Sequence, residues 1–330
     1  MSVDYWMKWQ VPVCGLIIVI PAAVAINLIK KRIRNGEDET QNLKQSKLIL
    51  WVPCWRNLNP KWLLLYRASA FITMAYLLYQ MILFSGLFAF YFYTQWTFAL
   101  VMVYFAIGII ISAQGCFMTS TEKGPARSAE KDKFLKNGSD SSKSAAALGS
   151  KKGEGSSSLQ NHDSNDEAQG VGFLGSLMLI VYQISAGASV LTDLVFWCIL
   201  VPMMAGKQFE LTLLIGFIHS LNAVFLVIDS LLNALPFHWF GFNYFILWSV
   251  TYITFQWILH AFGFTWWPYP FLELSTPWAP LWYLGMAFIH VPCYGVYIML
   301  VKAQKSIFSK LFPQAFVRSH QWISPHQKAA

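Results

Sequence analysis

The chain has 330 residues, of which 56% are hydrophobic and only 12% are charged, and its formal net charge is +8. This composition excludes an ordinary soluble domain and predicts an all-α integral membrane protein. The basic residues flank apolar segments instead of forming one stripe, as membrane topology requires. Nucleic acid is therefore excluded as a partner.

Seven apolar stretches are long enough to cross a bilayer as helices, which takes about 20 residues each. They are residues 11–29, 62–88, 97–117, 171–201, 211–235, 240–263 and 280–301. A short aromatic connection joins the second and third spans, so we expect these two to pack as antiparallel neighbours. The predicted divisions are an anchor helix with a basic loop (1–61), helices 2 and 3 (62–117), a linker (118–170), helices 4 to 7 (171–303) and a basic tail (304–330).

The first span admits two interpretations. Ala23-Val24-Ala25 resembles a signal-peptidase site, but cleavage there would leave the basic run that begins at Lys30 outside the cytosol. An uncleaved anchor helix with its N-terminus outside is therefore favoured.

Residues 118–170 are rich in Ser, Lys, Gly and acidic residues and have almost no large apolar side chains. Such a composition buries too little apolar surface to fold, so it predicts a disordered linker between two parts of the bundle. Its serines are alternatively phosphorylation sites. The composition assigns the linker no specific chemistry.

Lysine and arginine are distributed asymmetrically. With seven spans and the N-terminus outside, every Lys and Arg except Lys8 and Lys207 lies in a cytosolic segment or at the cytosolic end of a span. The positive-inside rule thus predicts an outside N-terminus and a cytosolic C-terminus, with the endoplasmic reticulum or another endomembrane favoured. Arg67, near the start of the second span, is expected to reach the cytosolic headgroups through its long stem.

The fifth span carries a polar face. At about 100° per residue, one side of a continuous helix collects Thr212, His219, Asn222, Asp229, Ser230 and Asn233. Ionisable groups in hydrocarbon cost at least ~2.5–3.5 kcal/mol, so this face predicts partner helices or an internal cavity. Asp229, about 15 Å along the axis from His219, is expected to meet solvent or headgroups at the cytosolic end.

His219 and His290 lie at similar depths, about 15 Å and about 13–14 Å from the outer ends of their spans, so they are expected to share a layer. Either imidazole suits general-base catalysis, and either suits an ordinary interhelical hydrogen bond. The fourth span has a second polar face, made of Ser185, Ser189, Thr192 and Asp193. Asp193 and Asn222 are the candidates for orienting a histidine.

No metal site and no cofactor are predicted. The five cysteines are dispersed and show neither a disulfide framework nor a CxxC spacing. No two histidines have the i, i+4 spacing of a helical zinc pair.

Several positions resemble the androgen-induced gene and rolling-stone family of multi-pass membrane proteins. They are Trp96 at the start of the third span, Phe196-Trp197 in the fourth, His219 in the fifth, and Trp267 with Tyr269-Pro270-Phe271-Leu272-Glu273 after the sixth. The resemblance covers residues 67–303 apart from the linker, and it implies a six-helix core to which the first span is added. Some family members hydrolyse fatty acid esters of hydroxy fatty acids, which implies membrane lipids and an acyl-ester substrate as partners.

Family hydrolases use a threonine nucleophile and a histidine, and the resemblance places His219 at the histidine position. The threonine position, four residues after Trp96, is Leu100, which has no hydroxyl to attack an ester. Thr97 is therefore the candidate nucleophile. Its alternative role is that of an ordinary hydroxyl at a helix start.

Two function classes follow. In the first, the chain is an intramembrane lipid-ester hydrolase with His219 as general base, Thr97 as nucleophile, and Asp193, Asn222 and His290 as pocket or orienting residues. In the second, it is a non-catalytic membrane protein that binds lipid or a protein partner. A probe that reacts with activated serine or threonine hydroxyls distinguishes the two classes.

Overall fold

The computed structural model describes residues 3–35, 50–56, 58–121, 158–204, 212–233 and 235–317. Its principal helices are α1 (Gln10–Arg34), α2 (Pro60–Ser85), α3 (Tyr93–Thr121), α4 (Ser158–Val195), α5 (Leu213–Ile218), α6 (Leu221–Leu232), α7 (Phe242–Ala261) and α8 (Ala279–Leu311). Single-turn helices precede α1 at Val3–Trp6 and α5 at Val201–Met204. The described residues contain no β-strand, so the prediction of an all-α membrane protein is confirmed.

Six described helical stretches are long and apolar enough to cross a membrane. They are Gln10–Arg34, Pro60–Tyr91, Tyr93–Phe117, Gly172–Met203, Leu213–Leu232 and Ala279–Leu311. The predicted sixth span is also a helix, α7, and it packs against α1 and α4. Because its aromatic and polar residues lower its hydropathy, α7 is not among the six stretches named above. The chain is thus a multi-pass helical membrane protein.

Local sequence explains where α2 begins and ends. The Asn59 side chain accepts a hydrogen bond from the Lys61 amide at 3.0 Å, and Pro60 occupies the first turn, where no amide donor is needed. The helix ends at Gly86, whose φ of 63° is accessible to glycine without strain. The 3-10 turn Gly86–Tyr91 leads into α3, which packs along α2, so the predicted pairing of these helices is confirmed.

The predicted fifth span is broken into two helices, so the prediction of one continuous helix is wrong. α5 ends at Ile218, and α6 begins at Leu221 after His219 and Ser220. The released carbonyl of His219 accepts a hydrogen bond from Trp197 Nε1 at 3.1 Å. Non-helical backbone at membrane depth is tolerated where other protein groups restore its hydrogen bonds, as happens here.

The polar face of this span turns into the protein along α6. Its buried members are Asn222, Asp229, Ser230 and Asn233. Thr212 instead caps the start of α5, where its hydroxyl accepts a hydrogen bond from the Ile215 amide at 3.3 Å, and it is exposed. The predicted polar face therefore exists along α6, after the break, and not along α5, before it.

Arg67 and Asp229 form a fully buried ion pair, with Arg67 Nε 3.1 Å from Asp229 Oδ1. The expectations that Arg67 reaches the headgroups and that Asp229 meets solvent or headgroups are therefore wrong. Each charge partly compensates the other, which lowers the penalty that would drive a lone charge toward water. Arg67 Nη1 also donates to the Leu50 carbonyl at 3.1 Å and to Ser112 Oγ at 2.7 Å.

Further hydrogen bonds surround the carboxylate of this pair, while Arg67 Nη2 has no partner among the described residues. The second carboxylate oxygen of Asp229 accepts from the Tyr104 hydroxyl and from Asn233 Nδ2. Gly108 gives the guanidinium room, since a Cβ at that position would lie 3.1 Å from Arg67 Cδ. The ion pair thus joins α2, α3 and α6.

The ends of the predicted linker are helical. α3 continues to Thr121 and α4 begins at Ser158, while residues 122–157, with most of the predicted disorder and the serine sites, lie outside the described residues. At the other end, α8 continues to Leu311, so the first residues of the predicted tail are helical. Residues 318–330 of that tail also lie outside the described part.

Candidate functional site

A cavity of about 570 Å³ lies between α3, α4, the break after α5, α7 and α8. Its wall is mainly apolar. The polar groups in the wall are the imidazoles of His219 and His290 and the hydroxyls of Tyr93, Thr94, Thr192, Ser249, Tyr252 and Tyr269.

A local change of helix type positions His219. α4 ends at Val195, and Phe196–Leu200 form one π-helical turn, a feature often found at functional sites. The Phe196 ring stacks on the His219 imidazole, with the ring centroids 3.6 Å apart and the planes 3° from parallel. Within the described part of the chain, His219 Nδ1 has no hydrogen-bond partner. This nitrogen is therefore a buried polar group whose hydrogen-bonding capacity is unfilled.

Ser249 and His290 form a hydrogen-bonded pair in the cavity wall. Ser249 Oγ lies 2.9 Å from His290 Nε2, and His290 Nδ1 lies 2.6 Å from the Met286 carbonyl oxygen. Because a carbonyl oxygen only accepts, Nδ1 carries the proton of the neutral imidazole and Nε2 presents its lone pair to the serine hydroxyl. The three groups have the arrangement of a nucleophile, its base and the group that orients the base.

Tyr93 adds a second hydroxyl to this pair. Its oxygen lies 2.9 Å from Ser249 Oγ, and the phenol donates whenever Ser249 donates to His290. Tyr93, Ser249 and His290 come from α3, α7 and α8, so their meeting depends on how these three helices pack. Ser249 is 6% exposed and His290 is 7% exposed, which leaves the cavity as the route to both.

Of the residues singled out by the family resemblance, some line the cavity and others lie outside its wall. His219 shares the cavity wall with His290, as their similar depths predict. Thr97 is fully buried and does not line the cavity, and its hydroxyl lies 3.4 Å from that of Thr192, which does. Leu100 packs partly buried against the core. Thr97 is therefore behind the wall that His219 helps to form.

Asp193 and Asn222 lie next to each other beside the cavity. The Asp193 carboxyl is close enough to the Asn222 side chain to interact with it, and Asn222 Oδ1 accepts from the Ala223 amide at 2.8 Å. Neither side chain is part of the cavity wall. The two predicted orienting residues thus lie outside the wall, and neither of them hydrogen-bonds His219 Nδ1.

The aromatic loop after α7 closes one end of the cavity. Three of its residues line the wall, namely Tyr269, Phe271 and Leu272. Burial raises the pKa of Tyr269 to about 12, so its phenol stays protonated at physiological pH. Trp267 Nε1 donates to Tyr5 OH at 3.0 Å, and Tyr5 OH donates to Glu273 at 2.8 Å. The N-terminal residues therefore hold this loop in place.

Sequence reasoning did not single out Ser249 or Tyr93. α7 does carry a signal, because its buried polar residues recur at helical spacing, namely Ser249, Tyr252, Gln256 and His260. That pattern predicts a protein-facing side of the helix without showing which residue meets a catalytic group. His260, on the same side, hydrogen-bonds the Gln256 carbonyl of its own helix at 2.7 Å and stacks on Trp267. It has a structural role outside the cavity.

Among the described residues, no three His, Cys, Asp or Glu side chains are placed to hold a metal ion together. Comparison with models of known families, with curated proteins and with solved structures finds no match to this chain. Its function is therefore argued from the cavity and the side chains that line it.

Proposed function

We propose that the chain is an intramembrane hydrolase of lipid esters, with Ser249 as nucleophile and His290 as general base. One observation carries the proposal: Ser249 Oγ lies 2.9 Å from His290 Nε2, while the Met286 carbonyl lies 2.6 Å from Nδ1. Both distances match those of a nucleophile and its oriented base, about 2.6–3.2 Å. The surrounding wall is mainly apolar, which suits a hydrocarbon substrate and keeps out bulk water.

The steps of the reaction follow from this arrangement. Ser249 Oγ attacks the ester carbonyl carbon while its proton passes to His290 Nε2. The Met286 carbonyl stabilises the resulting imidazolium through Nδ1. The tetrahedral intermediate then expels the alcohol, which takes the proton from Nε2 and leaves an acyl-serine. Water activated by the same imidazole releases the fatty acid and returns the proton to Ser249.

Two further groups are placed to assist. Tyr93 OH, 2.9 Å from Ser249 Oγ, is positioned to donate to the ester carbonyl oxygen as negative charge develops on it. His219, held by its stacking on Phe196, offers a nitrogen to a second polar group of the substrate. A fatty acid ester with one additional polar group would use both.

The resemblance to the androgen-induced gene and rolling-stone family supports fatty acid esters as the substrate class. In our proposal Ser249 and His290 take the roles that the resemblance gives to Thr97 and His219, because Thr97 does not line the cavity. The distribution of Lys and Arg supports an outside N-terminus and a cytosolic C-terminus, in the endoplasmic reticulum or another endomembrane.

A non-catalytic lipid-binding protein is the second candidate. The Ser249 hydroxyl is satisfied by Tyr93 and His290 together, and closed hydrogen-bond networks of this kind also join membrane helices without any chemistry. In that case the cavity holds a lipid whose ester stays intact.

A fluorophosphonate probe separates the two candidates, because it bonds covalently to an activated hydroxyl. We expect wild-type labelling that is absent in Ser249→Ala and at least about 100-fold slower in His290→Gln, since a general base contributes that much or more. Thr97→Val is the control and should keep the label. Loss of labelling in Thr97→Val alone would make Thr97 the nucleophile, and an unlabelled but folded wild type would favour the lipid-binding protein.

A further inference from the structure

A second cavity, of about 470 Å³, adjoins the first and shares part of its wall. The residues that line both are Ser249, Ile253, Leu272, Met286 and His290. The first cavity is called the inner lobe below, and the second the outer lobe. Ser249 and His290 thus lie at the junction of two lobes.

α1 closes the outer lobe. Its residues Ile17, Ile18 and Pro21 form one side of the lobe and face residues of α7 and α8. α7 and α8 touch each other only briefly, whereas α1 packs against both and so covers the gap between them. The opposite side of α1 is turned away from the protein, with Leu16 58% and Val19 60% exposed. In a membrane, α1 is therefore the barrier between the outer lobe and the lipid.

Pro21 places a weak point of α1 over the outer lobe. Proline has no amide proton, so the Ile17 carbonyl receives no helical hydrogen bond from position 21, and the helix bends more easily at this turn. Both Pro21 and Ile17 line the lobe. The turn of α1 that bends most easily, Ile17–Pro21, is thus the turn that lines the outer lobe.

The two ends of the N-terminal region are fixed, in contrast to this middle turn. At one end, Tyr5 donates to Glu273 at 2.8 Å. At the other, the Arg32 guanidinium lies 4.0 Å from the centroid of the Phe240 ring, in a cation–π contact. A helix that is held at both ends and weakened between them changes shape most easily in its middle.

We propose that the outer lobe is a lateral portal through which one hydrocarbon chain of a membrane lipid reaches Ser249 and His290, and that α1 opens this portal by bending at Pro21. A hydrocarbon chain fits because the lobe lies between membrane-spanning helices and its wall is almost entirely apolar away from Ser249 and His290. That the hydrocarbon chain is delivered to Ser249 and His290 for reaction rests on the proposed function. The passage of the hydrocarbon chain through the portal requires no catalysis.

The test uses the full chain in lipid nanodiscs and a diazirine-bearing palmitic acid, photolysed at successive times and located by peptide mass spectrometry. Ile18→Trp fills the outer lobe from α1, and Val19→Trp, on the lipid-facing side, is the matched control. Labelling of α8 around Met286 should fall at least about tenfold in Ile18→Trp, because a close-packed indole leaves no room for the chain. It should persist in Val19→Trp.

Pro21→Ala tests the bending. The variant restores the missing helical hydrogen bond, so labelling should be about fivefold slower, the factor that one backbone hydrogen bond supplies, and should reach the same final extent. An unchanged labelling rate in Pro21→Ala would overturn the bending of α1, and equal labelling in Ile18→Trp and Val19→Trp would overturn the portal.

Two further variants keep these outcomes interpretable. Ala287→Phe fills the lobe from α8 and must reproduce the Ile18→Trp result, so a fold defect confined to α1 cannot imitate it. Lys302→Met, at an exposed position of α8 that lines neither lobe, must leave fatty-acid labelling unchanged. A wild type that takes up the fatty acid but does not react with fluorophosphonate would refute the hydrolase and keep the portal.

Discussion

Removing either partner of the Arg67–Asp229 ion pair should destabilise the fold strongly. Both side chains are fully buried, so a single substitution leaves one full charge unpaired in a low-dielectric interior. Arg67→Met does this to the carboxylate, and Asp229→Asn does it to the guanidinium. We expect each to lower the free energy of unfolding by about 3–5 kcal/mol.

The double variant should cost less than either single change. With Arg67→Met and Asp229→Asn combined, no charge remains, and the new amide still accepts from the Tyr104 hydroxyl. The Leu50 carbonyl and the Ser112 hydroxyl lose the guanidinium as a donor, and the Gly108 carbonyl loses a longer contact of 3.4 Å. Two lost hydrogen bonds of ordinary strength correspond to a loss of about 1–3 kcal/mol.

Thermal and denaturant unfolding of the purified variants in detergent would measure these differences. Lys302→Met, which removes an exposed charge from α8, is the control and should leave the unfolding curve unchanged. A double variant as unstable as the sum of its two single variants would show that the charges do not interact. That result would refute the ion-pair argument.

Three further outcomes are expected. Gly108→Ala should lower the free energy of unfolding by about 1–3 kcal/mol, because its Cβ would lie 3.1 Å from Arg67 Cδ, and thermal unfolding would show it. Burial raises the pKa of Cys54 to about 12, so the thiol is protonated at pH 8. Because only the thiolate is a strong nucleophile, iodoacetamide at pH 8 should leave Cys54 unmodified in the folded protein, and mass spectrometry would show this. The sequon at Asn137, outside the described residues, should carry no glycan in eukaryotic cells if its loop is cytosolic, and a glycan there would contradict the orientation.

The helices were predictable because a bilayer makes strict demands on length and hydropathy, and because signals such as Asn59 and Pro60 mark a helix start. The break at His219 could not be predicted in the same way. A continuous helix places the same polar residues on one face, so periodicity cannot reveal an interruption. The break is supported by a hydrogen bond from Trp197, which belongs to the preceding span.

The pairing of Arg67 with Asp229 was within reach of the sequence. Arg67 is near the start of its span and Asp229 is near the end of another, so residue counts place both toward the same side of the membrane. The expectation of headgroup or solvent contact treated each charge separately. Two opposite charges at one depth stabilise each other inside a bundle, which makes pairing the better expectation.

The meeting of Ser249 with His290 could not be predicted, for a different reason. A serine within a span commonly bonds a carbonyl of its own helix or a neighbouring helix. Its chemistry depends on whether a histidine nitrogen lies within about 3 Å, and that is decided by how α7 and α8 pack. The family resemblance pointed to Thr97 and His219, and spacing along the chain offered nothing that favoured Ser249.

Three irregular features of this bundle border the two lobes. The π-helical turn Phe196–Leu200, the break at His219 and the proline at Pro21 come from three different spans, yet all border the inner or the outer lobe. In a bilayer each departure from regular hydrogen bonding costs stability, because no water replaces the missing partner. Bundles joined only by packing have no need of such departures at a shared position, whereas a site that must bind a lipid and admit it does. Their convergence on Ser249 and His290 therefore favours a ligand-binding role for this cavity, with hydrolysis as the proposal to be tested on it.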